Sequence, residues 1–294
     1  MFFVRGGVRH VCWRMKSVRV RVPATTANLG PGFDCLGVAL SLYNVTTVTR
    51  GRSGPSAGIV TKAAAAFFRA AGVEAFPFTW KIEGDVPSAR GLGSSVTVRL
   101  GILHGLNELA GKPLDRRRLY VICADLEGHP DNAAPGAFGG FTVVPARAAV
   151  QRFAVDEKLS FVLWIPNFEM ETAAARRALP KDVPLSDAVA TLGRAAAIAA
   201  AFAAADYRKL EGCFDDWLHQ PYREKLIPCL SRVIEAGREA GALGGWLSGS
   251  GSTIACLTLR RPEKIAVAMH AAAGQADAVV RVVAADNSGV RILR

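Results

Sequence analysis

The segment Pro87-Ser-Ala-Arg-Gly-Leu-Gly-Ser-Ser95 carries the residue types that hold a phosphate group. Gly91 and Gly93 let the backbone turn tightly and approach an anion with no Cβ in the way. Ser94 and Ser95 fall where an apolar-periodic segment begins, so free N–H groups, hydroxyls and the positive end of a helix dipole would converge on one point. The loop is not of the Walker type, because GxxxxGK[ST] is absent and no lysine follows the second glycine. An ordinary strand-to-helix connection is the alternative reading of such a turn. Three other segments bear on it. Pro23-Ala-Thr-Thr-Ala-Asn-Leu-Gly-Pro-Gly-Phe-Asp34 is a polar, glycine-broken loop directly after the alternating run Val18 to Val22. Glu127-Gly-His-Pro-Asp-Asn-Ala-Ala-Pro135 concentrates two carboxylates, a histidine and an amide ahead of Gly139-Gly140. Gly244-Gly-Trp-Leu-Ser-Gly-Ser-Gly-Ser252 supplies a further glycine-rich turn near the C-terminus.

The elements that must position these loops alternate between strand and helix without an internal repeat. Hydrophobic periodicity predicts strands at 18–23, 37–49, 78–84, 138–145 and 160–165, and helices at 58–72, 94–110, 115–126, 170–178, 185–206, 207–214 and 221–239. Strands at 245–248 and 252–259, a helix at 262–274 and a strand at 278–285 complete the chain. This order predicts a mixed α/β protein of two layers. The loss of periodicity from Arg147 to Ser160 places a domain boundary near 146–160.

Composition narrows the function classes. The chain has 294 residues, enough for a large core and commonly for two domains, and 50% hydrophobic with 21% charged residues is globular. The longest apolar runs, such as Ala195 to Ala205, are alanine-rich and shorter than a membrane span of roughly 20 residues, so no transmembrane helix is expected. Cysteines at 12, 35, 123, 213, 229 and 256 form no C-x-x-C pair, which argues for reduced thiols in the cytoplasm and against a zinc site or disulfide framework. The net charge is +11, and Arg5, Arg9, Arg14, Lys16, Arg19 and Arg21 supply six of those charges before the first acid. Residues 1–16 therefore read as a basic, flexible extension. No nucleic-acid motif accompanies the charge, and a solvated basic surface that attracts phosphorylated ligands is the preferred reading.

In order and spacing the four loops resemble the GHMP small-molecule kinases, and within them the homoserine kinase branch, over residues 18 to 257; EGHPDN followed by proline and Gly-Gly is the most specific piece. The resemblance implies an α+β, two-domain architecture: a ribosomal protein S5 domain 2-like, ATP-binding domain over 17–150 and a ferredoxin-like domain over 151–294, with the active site between them. It implies transfer of a phosphoryl group from ATP to L-homoserine, a step of threonine biosynthesis, by positioning and charge neutralisation. Pro87, Arg90, Gly91, Leu92, Gly93, Ser94 and Ser95 would hold the nucleotide. Ser95 and Glu127 would hold Mg²⁺, an ion that takes one or two protein oxygens besides phosphate. The alternative for Glu127 is a helix-end carboxylate paired with a nearby arginine. Arg176 and Arg223 match positions that bind the amino-acid carboxylate, bidentate chemistry suited to guanidinium. Asn28, Asp34, His129, Asp131 and Thr172 would complete the pocket around ammonium and hydroxyl. Without the flanking motifs, both arginines read as helix-surface residues.

The general base stays open between Asp34, Asp131 and transfer with no dedicated base. His129 is read as an orienting group, because no second histidine or thiolate stands near it in sequence. The chain departs from the family pattern in three places. Val96-Thr-Val-Arg99 replaces small residues after the phosphate loop, with Arg99 reaching solvent, reaching the nucleotide or disturbing helix packing. The segment before Gly58-Ile-Val60 is short and lacks the family's adenine-pocket asparagine, and Ser252 stands where proline is common. A kinase for another small hydroxylated acceptor and a catalytically silent binding protein are the competing functions. The resemblance leaves a homodimer open.

Overall fold

The computed structural model describes residues 16–52, 54–55, 57–146 and 149–293. Apart from Lys16, the expected basic extension lies outside the described residues. The elements are β1 (Ser17–Ala27), β2 (Leu36–Arg50), α1 (Gly58–Ala71), β3 (Phe78–Gly84), α2 (Ser94–Leu109), α3 (Arg116–Glu127), α4 (Ala133–Phe138), β4 (Phe141–Ala146), β5 (Ala149–Phe153) and β6 (Ser160–Ile165). They continue as α5 (Thr172–Arg177), α6 (Leu185–Ala203), α7 (Gln220–Arg223), α8 (Leu230–Glu239), β7 (Gly244–Leu247), β8 (Ile254–Thr258), α9 (Pro262–Ala273), β9 (Val279–Ala284) and β10 (Arg291–Leu293).

The strands form two antiparallel sheets. The first has the order β10-β1-β2-β4-β5, with β3 also paired to β2; the second has the order β7-β8-β6-β9. The second sheet with its helices is a β-α-β-β-α-β unit of ferredoxin-like connectivity, with helical crossovers from β6 to β7 and from β8 to β9 that leave β6 and β9 paired. Val18, Val20, Val22 and Val48 point to α1, α2 and α3 in one core. After the register shift between Pro23 and Ala24, Ala24, Leu36, Val38 and Leu40 join Phe161, Leu163, Trp246 and Leu257 in a core between the sheets. A third core lies under α8 and α9, around Trp164, Val233 and Met269.

The position of α2 matters most for the phosphate loop that precedes it. A Cβ at Gly101 would lie 2.2 Å from the Thr46 hydroxyl, and one at Gly105 would lie 2.4 Å from a Val48 methyl. Glycine at both positions therefore lets the helix lie directly on β2, with its N-terminus fixed at the mouth of the loop.

Several elements differ from expectation for local reasons. The strand expected from 138 is α4 until Phe138, and Gly139 and Gly140, both in the left-handed region, turn the chain into β4 at Phe141. The helix expected over 221–239 is broken into α7, a 3-10 turn Glu224–Leu226 and α8, because Pro228 has no N–H to continue it. The helix expected over 207–214 is only a 3-10 turn, Tyr207–Leu210. The short strands β5 and β10 carry little apolar alternation. β5 pairs with β4 across the expected 150/151 division, and β10 returns to pair with β1, so the chain's last strand belongs to the first sheet. One helix, α6, with 19 residues, is long and apolar enough to cross a membrane by length and composition, a longer apolar stretch than the runs weighed from the sequence. Its Ile198, Ala201 and Phe202 nevertheless pack into the core between the sheets.

Gly105→Ala gains helix propensity of about 1 kcal/mol but drives a methyl into Val48. We expect a net loss of about 1–2 kcal/mol from overpacking, read as a lower urea midpoint. An unchanged midpoint would mean that α2 shifts off the sheet without cost.

Candidate active site

A cavity of about 430 Å³ opens where the end of β1, the phosphate loop, the N-terminus of α2, the C-terminus of α3, α5, α7 and the turn after β7 meet. Its phosphate end is built by backbone. Gly93, with φ 67°, caps α2, no acidic side chain occupies the first turn, and the first N–H groups of a helix have no acceptor within it. Gly91 packs so closely on the turn after β7 that a Cβ there would lie 2.1 Å from the Ser248 carbonyl. The Ser248 hydroxyl lies 2.7 Å from the Gly91 carbonyl, and the Thr25 N–H donates to Leu92 O at 3.1 Å. Arg90 is held by its Nε on Pro166 O at 2.9 Å and pairs with Glu169 at 3.6 Å.

Ser95 and Glu127 meet at this end. The Ser95 hydroxyl donates to Glu127 Oε2 at 3.0 Å, while Arg99 Nη1 donates to Glu127 Oε1. Glu127 ends α3 paired to an arginine, as its alternative reading expected, and it also lines the cavity. Arg99 takes a course different from the three anticipated, covering a carboxylate of the site. Two oxygen ligands side by side fit a hard divalent cation that draws its other ligands from phosphate and water. Among the described residues no cluster of three or more His, Cys, Asp or Glu forms a denser metal site.

The opposite end carries the paired charges. Asn28 donates from Nδ2 to Gly249 O at 2.9 Å and accepts the Asp34 N–H at 3.1 Å, which fixes the loop between them. Asn28, Leu29 and Asp34 all have positive φ, 71°, 48° and 59°. Such backbone is tolerated by Asn and Asp and costly for Leu, so the loop needs outside support. Arg176 Nη2 bonds Asp34 Oδ1 at 2.7 Å. Arg223 is 2% exposed, with Nη1 on Gly249 O at 3.0 Å and Nε on Ala175 O at 3.3 Å. The two guanidinium groups lie 5.5 and 5.3 Å from the Phe33 ring centroid. Burial pushes the Arg223 guanidinium down to about 10, with Arg176 adding to the effect, so it stays cationic at neutral pH. Asp131, 3% exposed, accepts the Asn132 N–H at 3.0 Å and faces His129 Nδ1 at 3.5 Å. That hydrogen bond raises the His129 pKa. Thr172 and Ser250 share a hydroxyl contact of 3.3 Å across the cavity mouth.

The cavity brings together Asn28, Asp34, Arg90, Gly91, Gly93, Ser94, Ser95, Glu127, His129, Asp131, Thr172, Arg176 and Arg223. Arg176 and Arg223 are cavity residues and not helix-surface arginines. Pro87 and Leu92 do not line the cavity, and Leu92 is fully buried in the core between the sheets, leaving only its backbone to the loop. Sequence reasoning gave no role to Phe33, Asn132, Gly249 or Ser250, which also line it. Phe33 stands inside the first loop, and its contact with two arginines is visible only in three dimensions.

His219 supports the strained loop from behind. Its Nε2 bonds Gly30 O at 2.8 Å, its ring stacks on Phe33 at 5.0 Å, and its Nδ1 faces Arg223 Nη1 at 3.3 Å. Burial pushes its pKa from 6.5 down to about 4, although Asp216 opposes the shift. The unfolded chain then takes a proton below about 6.5 that the folded chain refuses until about 4. This contribution to stability is complete above that window and is lost as pH falls through it. His219→Gln, which keeps a donor for Gly30, should show a smaller drop in urea midpoint between pH 7 and pH 4.5 than the natural protein. Equal drops would assign the acid sensitivity to carboxylates alone.

The chain matches the GHMP kinases N terminal domain over residues 58–140 and the GHMP kinases C terminal domain over 190–275. It is 41% identical over 271 residues to a homoserine kinase of Moorella thermoacetica, covering 86% of this chain and 91% of the relative. It is also 41% identical over 266 residues to a homoserine kinase of Prochlorococcus marinus, covering 82% and 84%. The crystal structure of homoserine kinase from Cytophaga hutchinsonii superposes with a TM-score of 0.87 at 27% identity, over 95% of this chain and 98% of that one. On its sequence, its two-domain fold and the loops that build its cavity, the chain belongs to the GHMP kinase family.

Proposed function

We propose that the protein transfers the γ-phosphoryl group of ATP to the side-chain hydroxyl of L-homoserine, giving O-phospho-L-homoserine and ADP. One observation carries this reading beyond the similarity to homoserine kinases: two guanidinium groups converge on Phe33 at one end of the cavity, with a helix N-terminus at the other. A zwitterionic amino acid presents a carboxylate to Arg176 and Arg223, and its ammonium finds carboxylates at Asp34 and Asp131. The hydroxyl is then left pointing along the cavity toward the phosphate loop. An acceptor with no carboxylate, such as a sugar, would leave the buried Arg223 with no anionic partner.

The loop from Arg90 to Ser95 binds the triphosphate through backbone N–H groups and the serine hydroxyls. Ser95 and Glu127 would hold Mg²⁺, and that ion would supply charge neutralisation to the transferring phosphoryl group. In the reaction the acceptor oxygen forms a bond to the γ-phosphorus as the bond to the bridging oxygen of ADP breaks, and the hydroxyl proton leaves to Asp34, Asp131 or solvent. His129, tied to Asp131, orients that carboxylate toward the acceptor. The free thiols at Cys35, Cys123, Cys213, Cys229 and Cys256 support a cytoplasmic setting.

An ADP-release assay with L-homoserine, mevalonate and galactose tests the acceptor, and turnover of either alternative without homoserine overturns the proposal. Arg176→Ala should raise KM for homoserine by about 30-fold, near 2 kcal/mol and at the low end for a truncated charge pair because the side chain is partly exposed. ATP binding, measured directly, should stay within about twofold, since Arg176 acts on the acceptor. Equal weakening of both ligands would move Arg176 to the nucleotide.

A further inference from the structure

Arg99 follows Ser95 by four residues, so both side chains lie on one face of α2, and both reach Glu127. Their partners are the two different oxygens of one carboxylate. The side chains of Arg99 and Glu127 are only 14% and 10% exposed. Cys123, one turn before Glu127, is fully buried beside the pair, and Arg99 Nε is buried with no hydrogen-bond partner. A guanidinium enclosed in this way cannot leave for solvent and strand the carboxylate without a large penalty. The acid that faces the phosphate end of the cavity therefore comes with a resident positive charge.

We propose that Arg99 is a built-in counter-cation at the metal-binding carboxylate, so that this enzyme binds ATP with only weak dependence on divalent cation. The inference rests on Glu127 being the metal ligand. A lone glutamate here would repel the triphosphate until a cation intervened. With Arg99 bound, the Ser95–Glu127–Arg99 group is neutral overall and removes most of that repulsion, while its carboxylate pulls less on a cation. The unpartnered Nε gives the guanidinium a spare donor in the same buried setting. Arg99 acts as a specificity-determining residue for the form of nucleotide bound, free or metal-complexed.

Calorimetric titration with a non-hydrolysable ATP analogue, in excess MgCl₂ and in EDTA, reads this without turnover. In the natural protein the two dissociation constants should agree within about tenfold, that is 1.4 kcal/mol. In Arg99→Gln, which keeps a donor for Glu127 but removes the charge, the ratio should widen by about tenfold or more, chiefly through loss of binding in EDTA. Arg99→Lys, which keeps the charge, should behave as the natural protein and guards against a folding defect in the glutamine variant. A ratio well above tenfold in the natural protein, or one unmoved by Arg99→Gln, overturns the proposal. Glu127→Gln separates the two levels of the argument. If that substitution leaves the effect of Mg²⁺ on binding unchanged, the metal assignment fails and takes the Arg99 inference with it. If it changes the effect while Arg99→Gln does not, only the role of Arg99 is lost.

Discussion

The close contact of Gly91 with the turn at Ser248 is the constraint on which the site depends. No side chain fits between them, so the phosphate loop of the first half and the glycine-rich turn of the second half are held backbone to backbone. Hydrogen bonds then radiate from that point: Gly249 N–H to Ala27 O at 3.2 Å, Thr253 N–H to Arg90 O at 3.1 Å, and Trp246 Nε1 to the Thr26 hydroxyl at 2.9 Å. Each fixes a different wall of the cavity. The first loop, the phosphate loop and the turn carrying Gly249 are in this way one mechanical unit, although they come from distant parts of the sequence. The two sheets cannot slide over each other without breaking it, and this is why a cavity between them keeps a defined shape.

The charges of the cavity are arranged around that unit. Arg223 is buried, but its bonds go to carbonyls and an imidazole nitrogen and none to a carboxylate. Its positive charge is therefore not cancelled by its hydrogen-bond partners and is available to an anionic group of a ligand. Arg176 differs, being already paired with Asp34, so a ligand that takes it must also give Asp34 a partner. A zwitterion does both at once, which a simple acid or a neutral sugar cannot.

Much of the site was legible because its chemistry is carried by short segments in which the backbone itself acts. A loop such as Arg90 to Ser95 needs glycine at fixed places, and such needs survive in sequence. What stayed hidden were relations between distant residues. Nothing in the string Val96-Thr-Val-Arg99 announces that Arg99 meets Glu127, because the meeting depends on how α2 and α3 cross. Leu92 sits between the two glycines of the loop and still points into the core, since alternate residues of a tight turn face opposite ways. In the fold, the long buried strands and helices are clear from periodicity, whereas β5 and β10 take their structure from the neighbours they pair with. The broken helix before α8 shows the opposite case: Pro228 was present in the sequence, and apolar periodicity around it outweighed its local signal.

The first loop joins these two levels. Three non-glycine residues in left-handed backbone within seven positions would not persist in an isolated peptide, so their conformation is imposed by partners elsewhere. Asn28 is tied to Gly249, Gly30 to His219 and Asp34 to Arg176, and all three partners lie in the second half of the chain. Folding of the second half therefore completes the acceptor end of the cavity in the first. A change confined to the support, such as at His219, would then act on acceptor binding while leaving the phosphate loop intact. The division of labour between the two ends of the cavity follows from which half of the chain supplies the restraint.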